Sequence, residues 1–222
     1  MVSATPATPT RPVPAPPADL HANAKRIPWK KHCPIHRVHR EKYACNAFNS
    51  SSDGDARFSP ILNADKKVIP TIYGGTNFEC AAMETVFHEI PYVAGLKTHS
   101  KKALEPHRYS VIEPQRELNL VDLSNVALRR LGVKRSELID TNPLCYPLTR
   151  EWAVAFHAQC PDIDGLFWVS RQHDREHSIV LFGDRVEQKD LKQIDGPKHL
   201  LNDLPTYTAL LDLAAVLGVN LV

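Results

Sequence analysis

The stretch that decides the fold is YGGTNFECAAMETVFHEI, residues 73–90. It starts at the end of a β-branched run, VIPTIYGG, which predicts a strand closed by a tight turn at Gly74 and Gly75. The residues that follow have apolar side chains at helical spacing, and Thr76 or Asn77 can accept hydrogen bonds from the first free N–H groups. The sequence therefore predicts a strand, a turn and a helix over residues 77–90.

Glu84 lies in the middle of this predicted helix, just beyond the edge of its apolar face. Two other acidic residues have simple explanations, because Glu79 lies in the first turn, where the helix dipole favours an acid, and Glu89 lies in the last turn. Neither explanation applies to Glu84. It is either a partly exposed residue paired with a lysine or arginine, or a carboxylate with a function.

The composition is that of an ordinary globular chain. It has 222 residues, 43% hydrophobic and 23% charged, which is enough for one well-buried core. A formal net charge of +2 does not favour general binding to nucleic acid or membranes. The five cysteines form no C-x-x-C pair, and no signal or membrane-spanning pattern is found, so we expect a cytoplasmic protein without disulfides.

The N-terminal residues differ from the rest of the chain. Six of the first twenty are proline, mixed with alanine and threonine. Each proline lacks the N–H donor that a helix or sheet needs, and such a segment has little apolar surface to bury. We therefore expect a disordered or polyproline-like tail over residues 1–26, followed by one domain over residues 27–222.

The remaining elements mix strands and helices without a regular β-α alternation. This mixture favours the α+β class. The other strand-like runs are IHRVHR, DGLFWVS and HSIVLFGDRV, and the helix-like runs are TREWAVAFHAQC and YTALLDLAAVLGVNLV.

Five local motifs occur in order over residues 35–187. They are IHRVHR, DARFSP, TIYGG, AAMETV and DGLFWVS, with SIVLF as a closing strand. Together they resemble the RES domain family, which is named for its Arg, Glu and Ser residues and forms the toxin half of bacterial toxin–antitoxin pairs. The matched residues are Arg37, Arg57, Tyr73, Glu84 and Ser170. The sequence departs from the family at Ala56 and at Ser59-Pro60, around the second arginine.

The resemblance implies a fold similar to that of ADP-ribosyltransferases, with a mixed, mainly antiparallel sheet surrounded by helices. It also implies an enzyme that takes NAD as its substrate. We expect the protein to cleave the nicotinamide–ribose bond by hydrolysis or by phosphorolysis, with phosphate as co-substrate, and to halt growth by depleting NAD. Transfer of ADP-ribose to a protein target is the alternative.

Each matched residue then has an expected role. Arg37 and Arg57 would bind the pyrophosphate through charge-assisted hydrogen bonds. Glu84 would stabilise the positive charge that develops at ribose C1, and Tyr73 would stack on the nicotinamide or ribose, unless it is only a core aromatic. Ser170 would donate to a phosphate oxygen or position the acceptor, with Ser178 as its rival. His88, one turn after Glu84, would be a neighbour that tunes it.

The resemblance also implies a partner, an Xre-type antitoxin that blocks the active-site cleft, and it is compatible with homodimers. We expect neither direct binding to nucleic acid nor membrane association.

Two other patterns suggest different functions. KHCPIHRVHREKYAC groups His and Cys residues that suggest zinc, but the spacing fits no structural zinc site, so we expect no metal. LRRLGVKRSELI resembles a helix-turn-helix with Gly132 between two short helices, which would indicate DNA binding. A protein that binds NAD or another nucleotide without cleaving it is a third alternative.

Overall fold

A sheet of eight strands forms the centre of the protein in the computed structural model, which describes residues 11–222. Over these residues the strands are β1 (Arg26–Trp29), β2 (Ile35–Arg40), β3 (Ile61–Leu62), β4 (Val68–Ile69), β5 (Thr71–Gly75), β6 (Lys97–His99), β7 (His107–Pro114), β8 (Leu118–Asp122), β9 (Gly165–Val169), β10 (His177–Phe182), β11 (Leu191–His199) and β12 (Val219–Leu221). The helices are α1 (Leu20–Asn23), α2 (Phe78–Met83), α3 (Lys101–Leu104), α4 (Asn125–Arg130), α5 (Arg135–Leu138), α6 (Tyr146–Gln159) and α7 (Leu204–Val216).

The strand order in the central sheet is β1-β8-β9-β10-β5-β2-β7-β11. Neighbouring strands are antiparallel except for β8 and β9, which run parallel. Two small sheets, β3 with β4 and β6 with β12, lie outside it. This arrangement confirms the expected α+β class with a mixed, mainly antiparallel sheet. The two runs DGLFWVS and HSIVLFGDRV pair as expected, as β9 and β10.

The strand register places several polar residues on one face of the sheet. Ser178 opposes Gly75 of β5 and Trp168 of β9, while Tyr73 opposes Val180. Because side chains alternate along a strand, Ser178 and Val180 project from the same face. Trp168 and Tyr73 therefore lie on that face too, which is also the face packed against α6.

Helix α2 is shorter than the sequence predicts. It is capped by Asn77, whose Oδ1 accepts from the Cys80 N–H at 2.8 Å, but it ends at Met83 instead of continuing to residue 90. The N–H groups of Val86 and Phe87 both bond to the carbonyl of Ala82, which closes the chain into turns. These turns bury Val86 and Phe87 in a cluster with α7.

Residues 11–26 are packed against the domain, which differs from the expected disordered tail. Val13 and Leu20 are fully buried. Helix α6 supplies donors for the proline-rich backbone, because Trp152 Nε1 bonds to the Pro14 carbonyl at 2.8 Å and Gln159 Nε2 bonds to the Pro17 carbonyl at 3.2 Å. The prolines of this segment have no N–H group, but their carbonyls still accept hydrogen bonds from the neighbouring helix. The part of the expected tail over residues 1–10 lies outside the described residues.

The remaining helical expectations are met in the described chain. Helix α6 covers the run TREWAVAFHAQC, and α7 covers the first part of YTALLDLAAVLGVNLV before β12. Gly132, with φ of +70°, separates α4 from α5. Among residues 11–222, no helix combines the length and the apolar character needed to cross a bilayer.

Candidate functional site

A cleft of about 570 Å³ opens on the α6 side of the central sheet. It lies where β2, β5 and β10 meet the C-terminal end of α2 and the start of α6. Its polar side chains include His36, Asp55, Arg57, Glu84, His88 and Ser178. Its aromatic residues are Tyr73, Tyr146 and Trp168. The cleft therefore combines carboxylates, a buried cation and flat aromatic surfaces.

Glu84 is the C-terminal cap of α2, and not a residue in the middle of a helix. Its backbone N–H bonds to the Cys80 carbonyl at 3.0 Å, which fixes the residue at the helix end. The side chain is half-buried and lines the cleft. Among the described residues, Glu84 forms no ion pair within 4 Å, so the interpretation of a surface glutamate paired with a lysine or arginine does not describe its environment.

Two serines hold the Glu84 carboxylate. Ser170 Oγ donates to Oε1 at 2.5 Å, and Ser178 Oγ donates to the same oxygen at 3.3 Å. Both serines are buried. Within the described chain, Oε2 accepts no hydrogen bond from the protein, so this second oxygen is the one available to a ligand.

The two serines differ in their access to the cleft. Ser178 lines it, whereas Ser170 is fully buried behind Glu84. Ser170 Oγ also accepts from the backbone N–H groups of Gln172 and His173, at 3.1 and 2.9 Å. The expectation that Ser170 contacts a phosphate therefore becomes less favourable, and the geometry favours Ser170 as a residue that positions Glu84.

Arg57 is 8% exposed and lies in the wall of the cleft. Its Nη1 donates to Thr141 Oγ1 at 2.7 Å and to the Leu138 carbonyl at 3.3 Å, and its guanidinium carbon lies 5.1 Å from the centre of the Tyr146 ring. Burial lowers the pKa of Arg57, while Tyr146 and the Glu84 carboxylate act in the opposite direction. Arg57 is thus a rigidly held cation close to Glu84.

Tyr73 forms part of the same wall. Its ring meets that of Trp168 edge to face, with centroids 6.3 Å apart, and its hydroxyl accepts from the Phe58 N–H at 3.3 Å. Burial raises the pKa of Tyr73 to about 12, so the hydroxyl is protonated at neutral pH. Tyr73 therefore also ties β5 to the chain segment that carries Arg57.

Arg37 also lines the cleft, but its side-chain donors bind main-chain carbonyls. His36 opposes Gly75 and so lies on the cleft face, and its neighbour Arg37 projects from the other face of β2. Arg37 Nε donates to the Tyr73 carbonyl at 2.8 Å, and Nη1 donates to the Cys45 carbonyl. Burial lowers the pKa of Arg37 to about 10. These contacts favour a structural role, in which Arg37 joins β2 to β5 and to the following loop.

The cleft residues that sequence reasoning missed include His36, Tyr146 and Trp168. His36 was grouped with a potential zinc cluster, although strand alternation separates it from Arg37 and His39. Its Nδ1 lies 2.6 Å from the Tyr109 hydroxyl. His88 lines the cleft as expected near Glu84, but its Nδ1 contacts Glu89 at 2.6 Å. Over residues 11–222, no group of three or more potential metal ligands is found.

Comparison with protein families gives a direct result. The model of the RES domain matches residues 34–200, well over half of the chain. The chain belongs to the RES domain family. This match confirms the resemblance inferred from the ordered motifs, and it contains the positions of Glu84, Ser170 and both arginines.

A solved structure supports the fold of this RES protein. A chain of the M. tuberculosis MbcT–MbcA toxin–antitoxin complex is similar over 78% of this chain and 86% of its own length, with a TM-score of 0.54 and 14% sequence identity. At this identity the likeness shows the fold alone. No curated protein sequence matches the chain.

Proposed function

We propose that this RES protein cleaves NAD at the nicotinamide–ribose bond and that it acts as a toxin by depleting NAD. The observation that carries the proposal is the Glu84 carboxylate, which lines the cleft and which two buried serines fix through one oxygen, while the other oxygen accepts no hydrogen bond from the described residues. A carboxylate held in this way can stabilise the oxocarbenium ion that forms at ribose C1.

The chemistry needs only one carboxylate. Nicotinamide leaves NAD as a neutral ring, so no general acid has to protonate it. With water as acceptor, the C1–N bond breaks, a C1–O bond forms, and the products are nicotinamide, ADP-ribose and a proton. With phosphate as acceptor, the products are nicotinamide and ADP-ribose 1″-phosphate.

The rest of the cleft suits the other parts of NAD. The buried guanidinium of Arg57 can form charge-assisted hydrogen bonds with the pyrophosphate. The aromatic rings of Tyr73, Tyr146 and Trp168 offer flat surfaces for nicotinamide or ribose. The volume of about 570 Å³ lies within the range of clefts that bind small molecules.

The proposal includes a protein partner. An antitoxin of the Xre type would inhibit this chain by occupying the cleft, and the similarity to a chain of a toxin–antitoxin complex supports such a partner. Homodimers of the chain are compatible with this arrangement.

The test is to incubate the purified full chain with NAD, with and without phosphate, and to identify the products by mass spectrometry. Loss of NAD with release of nicotinamide is expected in both conditions if water is the acceptor, and only with phosphate if the reaction is phosphorolysis. ADP-ribose attached to a protein in a cell extract would support the transferase alternative instead. Stable NAD under all three conditions would contradict the proposal.

A further inference from the structure

Thr141 contacts two arginines at once. Its Oγ1 accepts from Arg57 Nη1 at 2.7 Å, and its carbonyl oxygen accepts from Arg171 Nη1 at 3.1 Å. Thr141 is itself buried, with 5% of its surface exposed. One fixed residue therefore brings together two guanidinium groups that are 114 positions apart in the sequence, as their numbers 57 and 171 show.

The two guanidinium groups lack acidic partners. Among the described residues, neither Arg57 nor Arg171 forms an ion pair within 4 Å, although other arginines such as Arg116 and Arg135 do. Burial is the main cause of the lowered pKa of Arg57, and repulsion by the Arg171 cation lowers it further, whereas Tyr146 and the Glu84 carboxylate act in the opposite direction. An anionic ligand would remove this repulsion.

The segment that carries Thr141 is rigidly attached to the rest of the site. Arg135, in α5, binds both carboxylate oxygens of Asp140 at 3.1 and 3.0 Å, and its Nη2 donates to the Ser170 carbonyl at 3.1 Å. Ser170 in turn donates to Glu84. The position of the two arginines is thus linked through one short network to the carboxylate of the cleft.

We propose that Arg57 and Arg171, both held by Thr141, form a site that binds a diphosphate group. Arg57 lines the cleft, and in this assignment Arg171 replaces Arg37, because Arg37 donates to main-chain carbonyls through both Nε and Nη1, whereas Arg171 does so through Nη1 alone among the described residues. The identity of the diphosphate as that of NAD rests on the proposed function. Thr141 is a positioning residue that acts through the two arginines. The two guanidinium groups each present several N–H donors, which match the oxygens of two adjacent phosphates.

The site can be tested by calorimetric titration of the full chain with inorganic pyrophosphate and with ADP-ribose. Arg171→Ala should weaken the binding of both ligands about tenfold or more, since it removes charge-assisted hydrogen bonds. The matched control is Arg175→Ala, because Arg175 is an exposed arginine of the same loop, and we expect less than a twofold effect. Nicotinamide riboside, which has no diphosphate, should bind equally well to all three proteins.

The inference is overturned if wild-type protein does not bind pyrophosphate, or if Arg171→Ala and Arg175→Ala change its affinity equally. These results do not depend on catalysis. If NAD is stable but pyrophosphate binding depends on Arg171, the proposed NAD cleavage fails and the diphosphate site stands. If NAD is cleaved but Arg171→Ala leaves the pyrophosphate affinity unchanged, the proposed diphosphate site fails and the proposed NAD cleavage stands.

The role of Thr141 can be tested by a pair of substitutions. Thr141→Val removes the hydroxyl that accepts from Arg57, and Thr141→Ser keeps it. Pyrophosphate affinity should fall about tenfold in Thr141→Val and return to within about threefold of wild type in Thr141→Ser. In NAD cleavage, the Val variant should raise KM more than it lowers kcat. Equal pyrophosphate affinities of the two variants would show that Thr141 serves packing only, even if both lose thermal stability.

Discussion

Ser170 Oγ lies 2.5 Å from Glu84 Oε1, although the two residues are 86 positions apart in the sequence. The contact joins the end of β9 to the C-terminal end of α2. Because Ser178 donates to the same oxygen, the carboxylate cannot rotate without breaking two hydrogen bonds. Glu84 is therefore oriented before a substrate binds, which is the condition under which a charged group contributes most to catalysis.

Replacement of Glu84 by glutamine should lower NAD turnover by about 10²-fold or more. Glutamine has a similar shape but carries no charge to stabilise a cation at C1. Turnover is measured by nicotinamide release, and the melting temperature shows whether the fold is intact. Glu79→Gln, in the first turn of the same helix, is the control and should retain activity. Equal activity of the two variants would remove Glu84 from the mechanism.

The two serines should respond differently to alanine substitution. Ser170→Ala removes the shorter bond to Glu84 and leaves the N–H groups of Gln172 and His173 without their acceptor, so we expect a loss of about 1–3 kcal/mol in unfolding free energy. Ser178→Ala removes the longer bond to Glu84 and a weak contact with Cys80 Sγ, and should cost about 0.5–1.5 kcal/mol. Urea denaturation measures both losses of unfolding free energy. We also expect Ser170→Ala to lower kcat more than Ser178→Ala does. If Ser178→Ala lowers both the unfolding free energy and kcat more than Ser170→Ala does, then Ser178 is the main support of Glu84.

The attachment of the N-terminal segment should depend on Trp152. Trp152→Phe removes the hydrogen bond to the Pro14 carbonyl and leaves a small gap, for an expected cost of about 1–3 kcal/mol. The segment before residue 24 should then be cut faster by an unspecific protease, with fragments identified by mass spectrometry. Trp29→Phe is the matched control, since Trp29 Nε1 bonds to the Cys33 carbonyl and not to this segment. Equal N-terminal cutting in both variants would contradict the prediction.

Stability should fall when the pH drops below about 6.5. Burial lowers the pKa of His39, which is 8% exposed and bonds through Nε2 to Ser110 Oγ at 2.9 Å. The unfolded chain then binds the proton more readily, since a free histidine titrates near 6.5. The stabilisation is fully present above pH 6.5 and is lost as the pH falls through the folded pKa. His36, His107 and His177 are shifted in the same direction and add to the effect.

Urea denaturation at pH 7.5, 6.5 and 5.5 checks this dependence. The variant His39→Gln should be less stable at pH 7.5 but should show a smaller loss between pH 7.5 and 5.5 than the wild type. A wild-type stability that is constant or rises toward pH 5.5 would show that the histidines do not control acid sensitivity.

Several strands were predictable because their apolar or alternating runs are a local signal, whereas β11 and β12 were not predicted. The pairing of β9 with β10 followed from two apolar runs and a polar loop, and the strand ending at Gly75 followed from its β-branched residues and its turn. The end of α2 was not predictable, since Val86 and Phe87 continue the helical spacing. They leave the helix because burial against α7 stabilises turns in which they bond to Ala82, and this contact is distant in the sequence.

In the candidate site, too, contacts between residues distant in the sequence were not predictable. The ordered motifs identified Glu84 and Arg57, and the structure brings both into one cleft. The sequence left Ser170 and Ser178 as rivals, but they donate to the same oxygen, a relation that depends on the angle between β9, β10 and α2. Similarly, the proline content predicted a disordered or polyproline-like tail, whereas its part over residues 11–26 is packed against the domain by donors on α6 that the sequence did not reveal.

Strand β1 has a consequence for the handling of the protein. It pairs with β8 at the edge of the central sheet, and its Pro28 has no N–H to offer a further strand. A fragment cut to the family boundaries, residues 34–200, would lose this strand and leave the apolar LNLVD strand as an open edge. Such an edge can pair with other chains, so the shortened protein would self-associate and precipitate, whereas a fragment that keeps β1 would not expose this edge.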